Sequence, residues 1–124
     1  LTIMNNNTSN QIEFLISQKM IDDYAKASKD FNPIHINKEF ASKSLFKRRI
    51  AHGMLTLSIV MEYLYEIYSD KMLNDTLVEA RFKNPVYAGE KIIILHEEKL
   101  KEKISVICRK ENGEEAISAS VTFK

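Results

Sequence analysis

Gly53-Met54-Leu55-Thr56-Leu57-Ser58-Ile59-Val60-Met61-Glu62-Tyr63-Leu64-Tyr65-Glu66-Ile67-Tyr68 is the stretch on which the fold turns. Its apolar and aromatic side chains fall on almost every face of an α-helix, not on one stripe. A helix greasy all round is enclosed by other elements, so residues 54–69 are predicted to form a central helix inside the fold.

The enclosing elements lie on either side. Downstream, residues 77–82 read as a strand, Asn84-Pro85 interrupts it and Gly89 marks a turn. Residues 92–95 form a continuous branched run, as in a core strand. Ile104, Val106 and Cys108 alternate with Ser105, Ile107 and Arg109, and Ile117, Ala119, Val121 and Phe123 alternate with Ser118, Ser120 and Thr122. That period of two belongs to half-buried antiparallel strands. Both Asn112 and Gly113 tolerate positive φ, which predicts a two-residue hairpin turn. Upstream, residues 12–16 read as a short strand. Ser17, with Asp22 and Asp23 in the first turn, starts a helix running to about Ser28. Pro33 makes residues 29–36 a loop, and a second short helix is expected over about 38–44. The order predicts an α+β class: one domain, residues 12–124, with an antiparallel sheet wrapped on one long helix.

A chain of 124 residues suits one domain that folds without disulfides or a structural metal. The net charge of +1, from 18 basic and 17 acidic side chains, gives no footprint for nucleic acid or an anionic membrane. No apolar run approaches the roughly 20 residues that span a bilayer. Residues 1–11 are polar and carry no basic-then-apolar leader, so a mobile tail and a cytoplasmic location are expected. Cys108 has no cysteine to pair with, and its place on an alternating face makes it a core residue. Cys108 and the three histidines show no metal-binding spacing.

The chemistry is concentrated in Ser28-Lys29-Asp30-Phe31-Asn32-Pro33-Ile34-His35. Asp30 and His35 would not share a helix face, but across a proline turn both can point into one pocket. A carboxylate beside an imidazole can orient and activate water. Taken alone, the pair is as readily a turn cap in solvent. His52-Gly53-Met54 is the second element. Gly53 permits close backbone approach, and an N–H at a helix start can stabilise a developing thioester enolate oxygen. Alone, Gly53 could equally begin a crowded helix.

Together the two elements resemble the MaoC-like, (R)-specific enoyl-CoA hydratase family. The signature residues here are Asp30, Asn32, Pro33, Ile34 and His35, then His52, Gly53 and Met54. The stretch from Arg81 to Glu90 is also similar to the family's strand and following turn, and the likeness covers about residues 12–123. The resemblance implies a hot-dog fold and a homodimer. It also implies a CoA or acyl-carrier-protein thioester as substrate, with no metal and no cofactor. It implies that Asp30 and His35 hold the water that adds to C3 of a trans-2-enoyl thioester, that Gly53 N–H faces the thioester oxygen, and that Asn32 shapes the loop. Lys29 departs from the family, which usually has glycine just before the aspartate; a solvated lysine is expected. The modest connection over residues 70–76 leans towards short or medium acyl chains.

Other residues complete the candidate set. His52 and Met54 belong to the substrate-facing motif, although packing suits His52 and core filling suits Met54, Met61 and Met72. Tyr63, Tyr65 and Tyr68 are expected in the core or at a dimer contact, and His96 in solvent. Lys43, Lys47, Arg48 and Arg49 form a basic cluster, either a solvated face or a site for CoA phosphates or an acidic carrier protein. A hot-dog thioesterase using Glu62 or Glu66, and a non-catalytic acyl-thioester binder, are the competing functions.

Overall fold

The computed structural model describes residues 11–100 and 102–124. The elements run β1 (Gln11–Leu15), α1 (Gln18–Ser28), α2 (Pro33–Ile36), α3 (Lys38–Ser42), α4 (Gly53–Tyr68), β2 (Thr76–Phe82), β3 (Lys91–Leu100), β4 (Lys103–Lys110) and β5 (Glu115–Phe123), with a 3₁₀ turn at Ser69–Met72. The strands form one sheet in the order β1-β3-β4-β5-β2. Every neighbouring pair is antiparallel.

The register stacks the apolar positions of successive strands. Ile12 faces Ile94, Ile94 faces Cys108, and Cys108 faces Ile117. One position set further along, Ile104 faces Val121 and Val121 faces Val78. Leu55, Ile59, Val60, Tyr63 and Leu64 of α4 join these residues in one core. Burying each large aliphatic side chain contributes roughly 1.5–3 kcal/mol. Cys108 sits inside this core, and burial pushes its thiol up to about 12, which removes it as a nucleophile at neutral pH.

Helix α4 is not enclosed on every side. One sheet covers one face, and Met54 (55% exposed), Tyr65 (43%) and Ile67 (41%) lie on the open side. Met54 and Tyr65 are therefore not core residues of the single chain. Tyr63 is buried, whereas Tyr68 is half-buried with its hydroxyl donating to Glu98 at 3.2 Å.

Other expectations are corrected in detail. Ser17 does cap α1, its Oγ accepting from Met20 N–H, but the first turn holds no acidic residue; Asp22 and Asp23 fall in the second. Residues 29–36 are not all loop. Pro33 opens α2 at the first helical position, where its missing N–H costs nothing, and the Asn32 side chain caps that turn by accepting from Ile34 N–H. Helix α3 stops at Ser42, short of the expected 44. The β4–β5 turn is longer than two residues, because only Gly113 (φ 94) takes positive φ and Gly113 N–H bonds to Lys110 O. His96 is not a solvent-facing side chain: it is half-buried and its Nδ1 lies 2.6 Å from the Tyr63 hydroxyl. The expected tail lies outside the described residues, except Gln11, which opens β1. Among the described residues, no helix is long and apolar enough to cross a membrane.

One polar anchor holds the 83–90 connection against the sheet. Lys110 is only 3% exposed, yet its Nζ donates to Pro85 O at 3.0 Å and pairs with Glu90 and Glu114 at 3.2 Å. Lys110→Ala removes the ammonium that joins Pro85 O, Glu90 and Glu114 and leaves a void. It is expected to cost about 2–3 kcal/mol, read from the denaturant midpoint. A change of less than about 0.5 kcal/mol, the range of an ordinary surface substitution, would contradict this reading.

Candidate active site

The site is built from two backbone segments that lie side by side. Residues 30–35 lead through α2, and residues 50–53 lead into α4. Ile50 N–H donates to Ile34 O at 3.2 Å, which fixes their alignment. Two histidines then cross between the segments. His35, on α2, has Nδ1 2.8 Å from Ile50 O. His52, just before α4, has Nε2 3.0 Å from Asp30 O. Carbonyl oxygens only accept, so each of these nitrogens carries the proton. His35 Nε2 is thereby left with a lone pair, which makes it a proton acceptor.

The two rings stack, with centroids 3.8 Å apart and planes inclined by 24°. Tyr24 of α1 closes the far side of His52, edge-on at 4.9 Å. Burial is the main cause that lowers the His35 pKa from its ordinary 6.5. The neighbouring His52 lowers it further, while the Ile50 carbonyl and Asp30 pull the other way without reversing it. His35 is thus held neutral.

Asp30 is exposed at the mouth of this arrangement. Its carboxylate caps the following turn, accepting from Asn32 N–H at 3.2 Å. Donor atoms of Asp30, His35 and His52 lie within 4.8 Å of one another. A water bonded to two groups at about 2.8 Å each spans up to about 5.6 Å, so one water can bridge Asp30 and His35. Each imidazole has one nitrogen on a carbonyl, and His52 Nδ1 is sealed from solvent. One open imidazole nitrogen and one carboxylate remain, short of the three protein ligands of a catalytic zinc.

The backbone at Lys29 favours glycine, and nothing in the structure explains the lysine. It ends α1 in the left-handed conformation at φ 66, where glycine is the residue without steric cost. Its side chain is exposed, as expected.

Gly53 is the first residue of α4, where a backbone N–H has no carbonyl one turn behind it. A Cβ at this position would meet the Phe82 ring of β2 at 3.0 Å, so any larger residue here would have to displace that ring. A cavity of about 260 Å³ opens beside Gly53, lined by Phe46, Ile50, Thr56, Phe82, Pro85 and Ile117 among others. Arg48 and Arg49, with Lys47 and Lys38, line a separate cleft of about 180 Å³. Arg48 lies 4.1 Å over the Tyr87 ring. Lys43 is not part of that lining and pairs with Glu39 at 3.3 Å.

Asp30, His35 and Asn32 therefore lie together as the sequence suggests, with Gly53 at the adjoining helix start. His52 is inside the structure, 3% exposed. Met54 lies on the open side of α4. The sequence did not single out Ile50 O, Tyr24, Phe82 or Lys38. The first acts through its backbone, which carries no side-chain signal, and the others take part only through tertiary contacts.

Comparison with known proteins bears on the family and the fold. The model of the MaoC-like domain matches residues 3–120. The (R)-specific enoyl-CoA hydratase of Aeromonas caviae is 35% identical over 69 residues, covering 56% of this chain and 52% of that one. The mitochondrial 3-hydroxyacyl-[acyl-carrier-protein] dehydratase of Arabidopsis thaliana is 34% identical over 84 residues, covering 64% and 46%. The matched region thus spans about half the length of these curated relatives. Among solved structures, an (R)-hydratase from A. caviae superimposes with a TM-score of 0.76 at 20% identity, covering 100% of this chain and 98% of that one. A MaoC-like dehydratase from Phytophthora capsici gives 0.82 at 20% identity, covering 98% and 44%. These structural likenesses establish the hot-dog fold, and the domain match over nearly the whole chain establishes the family: this chain belongs to the MaoC-like domain family.

Proposed function

We propose that this chain is a hydro-lyase that reversibly hydrates trans-2-enoyl thioesters to (R)-3-hydroxyacyl thioesters. The observation that carries the reading is the committed tautomer of His35, with Nδ1 on Ile50 O and an Asp30 carboxylate close enough to share a water. Asp30 orients that water and His35 Nε2 takes its proton as the water oxygen bonds to C3. The C2–C3 π pair shifts through the carbonyl, whose oxygen gains negative charge facing Gly53 N–H. The proton held by His35 is then delivered to C2. Nothing is oxidised or reduced, so the thioester is the substrate and no cofactor is needed. The (R) outcome is carried over from the family.

Substrate roles follow from the two openings. The cavity beside Gly53 is smaller than the about 300–1,000 Å³ of pockets that bury a drug-sized ligand, which suits a short or medium acyl chain. Arg48 and Arg49 are placed to meet the phosphates of CoA or the acidic surface of an acyl-carrier protein. Asn32 holds the acid–base turn, and Met54 is available to the acyl group or to a second copy. A homodimer would cover the open face of α4.

A thioesterase reading needs a carboxylate near the thioester. Glu62 lies nine residues beyond Gly53, roughly 13 Å along the helix, and Glu66 lies further still. Neither reaches the helix start, which favours the hydratase.

Two outcomes are expected. Crotonyl-CoA or a longer trans-2-enoyl-CoA should lose its enoyl absorbance without release of thiol. Asp30→Asn should lower kcat by about 100-fold or more, within the usual range for general acid–base groups. Thiol release, or an Asp30→Asn variant as active as wild type, would contradict the mechanism. In the pH profile, kcat/KM should stay high below pH 6.5 and fall only as His35 is protonated, because its folded value is lowered. The same shift makes folding stability fall as pH drops below 6.5, where the unfolded chain binds the proton first. An acid limb centred above 6.5 would contradict the buried, neutral imidazole.

A further inference from the structure

His52 is a buried polar side chain that touches both reacting residues, Asp30 through its N–H and His35 through its ring face, with Tyr24 edge-on beside it. It is 3% exposed, so it offers no surface to a substrate. Its Nε2–H donates to the Asp30 carbonyl at 3.0 Å, and its face lies on His35 at 3.8 Å. Its Nδ1 is buried without a hydrogen-bond partner. An unpaired buried nitrogen is a cost that a purely apolar ring in the same space would not carry. Packing alone therefore does not account for a histidine here, whereas the Nε2–H bond does.

Resting on the hydratase reading above, we propose that His52 is a positioning residue that fixes the Asp30 backbone through its Nε2–H and the plane of His35 through its face. The two functions occupy different parts of one ring. The N–H reaches back 22 residues to the loop after α1 and holds it beside the helix start. The ring face covers one side of His35 and so blocks rotation towards that side, away from Ile50 O. Around the stacked pair, the ionisable neighbours are Tyr24 from α1, Asp30 from the loop, and the two rings themselves, with the positive end of α4 directly after His52.

Two substitutions separate the two functions. His52→Phe keeps a ring against His35 and loses the donor. His52→Gln keeps an amide N–H near the Asp30 carbonyl and loses the ring face. Each variant is compared with wild type by NMR titration of His35 and by the pH dependence of kcat and KM with an enoyl-CoA. In His52→Phe, which keeps a ring over His35 but removes the neighbouring imidazole, we expect the His35 titration to rise less than in His52→Gln while kcat falls about 10- to 100-fold with KM little changed, since small displacements of a reacting group cost that much. In His52→Gln we expect the His35 titration to move up towards 6.5, carrying the acid limb of kcat/KM with it, and a smaller loss of kcat. If both variants leave the His35 titration in place and lose kcat only in proportion to folded protein, His52 is a packing residue and the proposal fails. The proposal also fails if His52→Phe retains full kcat. A wild-type chain with no hydratase activity would overturn the reaction assigned above, and the His35 titration in His52→Gln would still decide whether His52 holds that ring.

Discussion

The crossed pair of bonds between residues 30–35 and 50–52 is the constraint on which the site depends. His35 reaches forward to Ile50 O and His52 reaches back to Asp30 O, while Ile50 N–H meets Ile34 O between them. Each bond fixes a tautomer as well as a position, because a carbonyl admits only a donor. The chemistry follows from this. A histidine whose Nδ1 is spent on a carbonyl exposes a basic Nε2, and burial keeps that nitrogen unprotonated. A carboxylate on the same turn then has a neutral base as its neighbour across the width of one water.

The rest of the fold serves to hold those two segments together and to present a helix start beside them. Helix α4 is anchored by its buried face on the sheet, and β2 sets the Phe82 ring close against its first residue, Gly53. The 83–90 connection is tied to the sheet by Lys110, and Ala51 N–H meets Val86 O at 2.7 Å, so the segment entering α4 is supported from that side too. Core, connection and site are therefore one mechanical unit. Substitutions at Phe82 or Lys110, remote in sequence from Asp30, bear on the position of Gly53.

Much of this was legible in the residues. Alternation in 104–109 and 117–123 revealed the strands because burial on one face imposes a period of two, and all five strands fell near their expected places. Asp30, Asn32, His35 and Gly53 were legible because the proposed chemistry needs their side chains, or the lack of one. Three features were not. The open side of α4 looks the same in sequence as a buried side, since Met54, Tyr65 and Ile67 are apolar wherever they sit. The helical turn at Pro33 was hidden because proline both ends and begins helices, and the Asn32 cap decides which. The placement of His52 and His96 depended on partners distant in the chain, Asp30 O and Tyr63, which no local pattern announces.

The central claim is that Asp30 and His35 act on one water as a single unit, and a double-mutant cycle on kcat tests it most directly. Groups that act together are strongly non-additive. Combining Asp30→Asn with His35→Gln should leave kcat about where the more damaging single substitution puts it. Losses that multiply in the double variant would mean that the two residues contribute independently, and the shared-water site described here would be wrong.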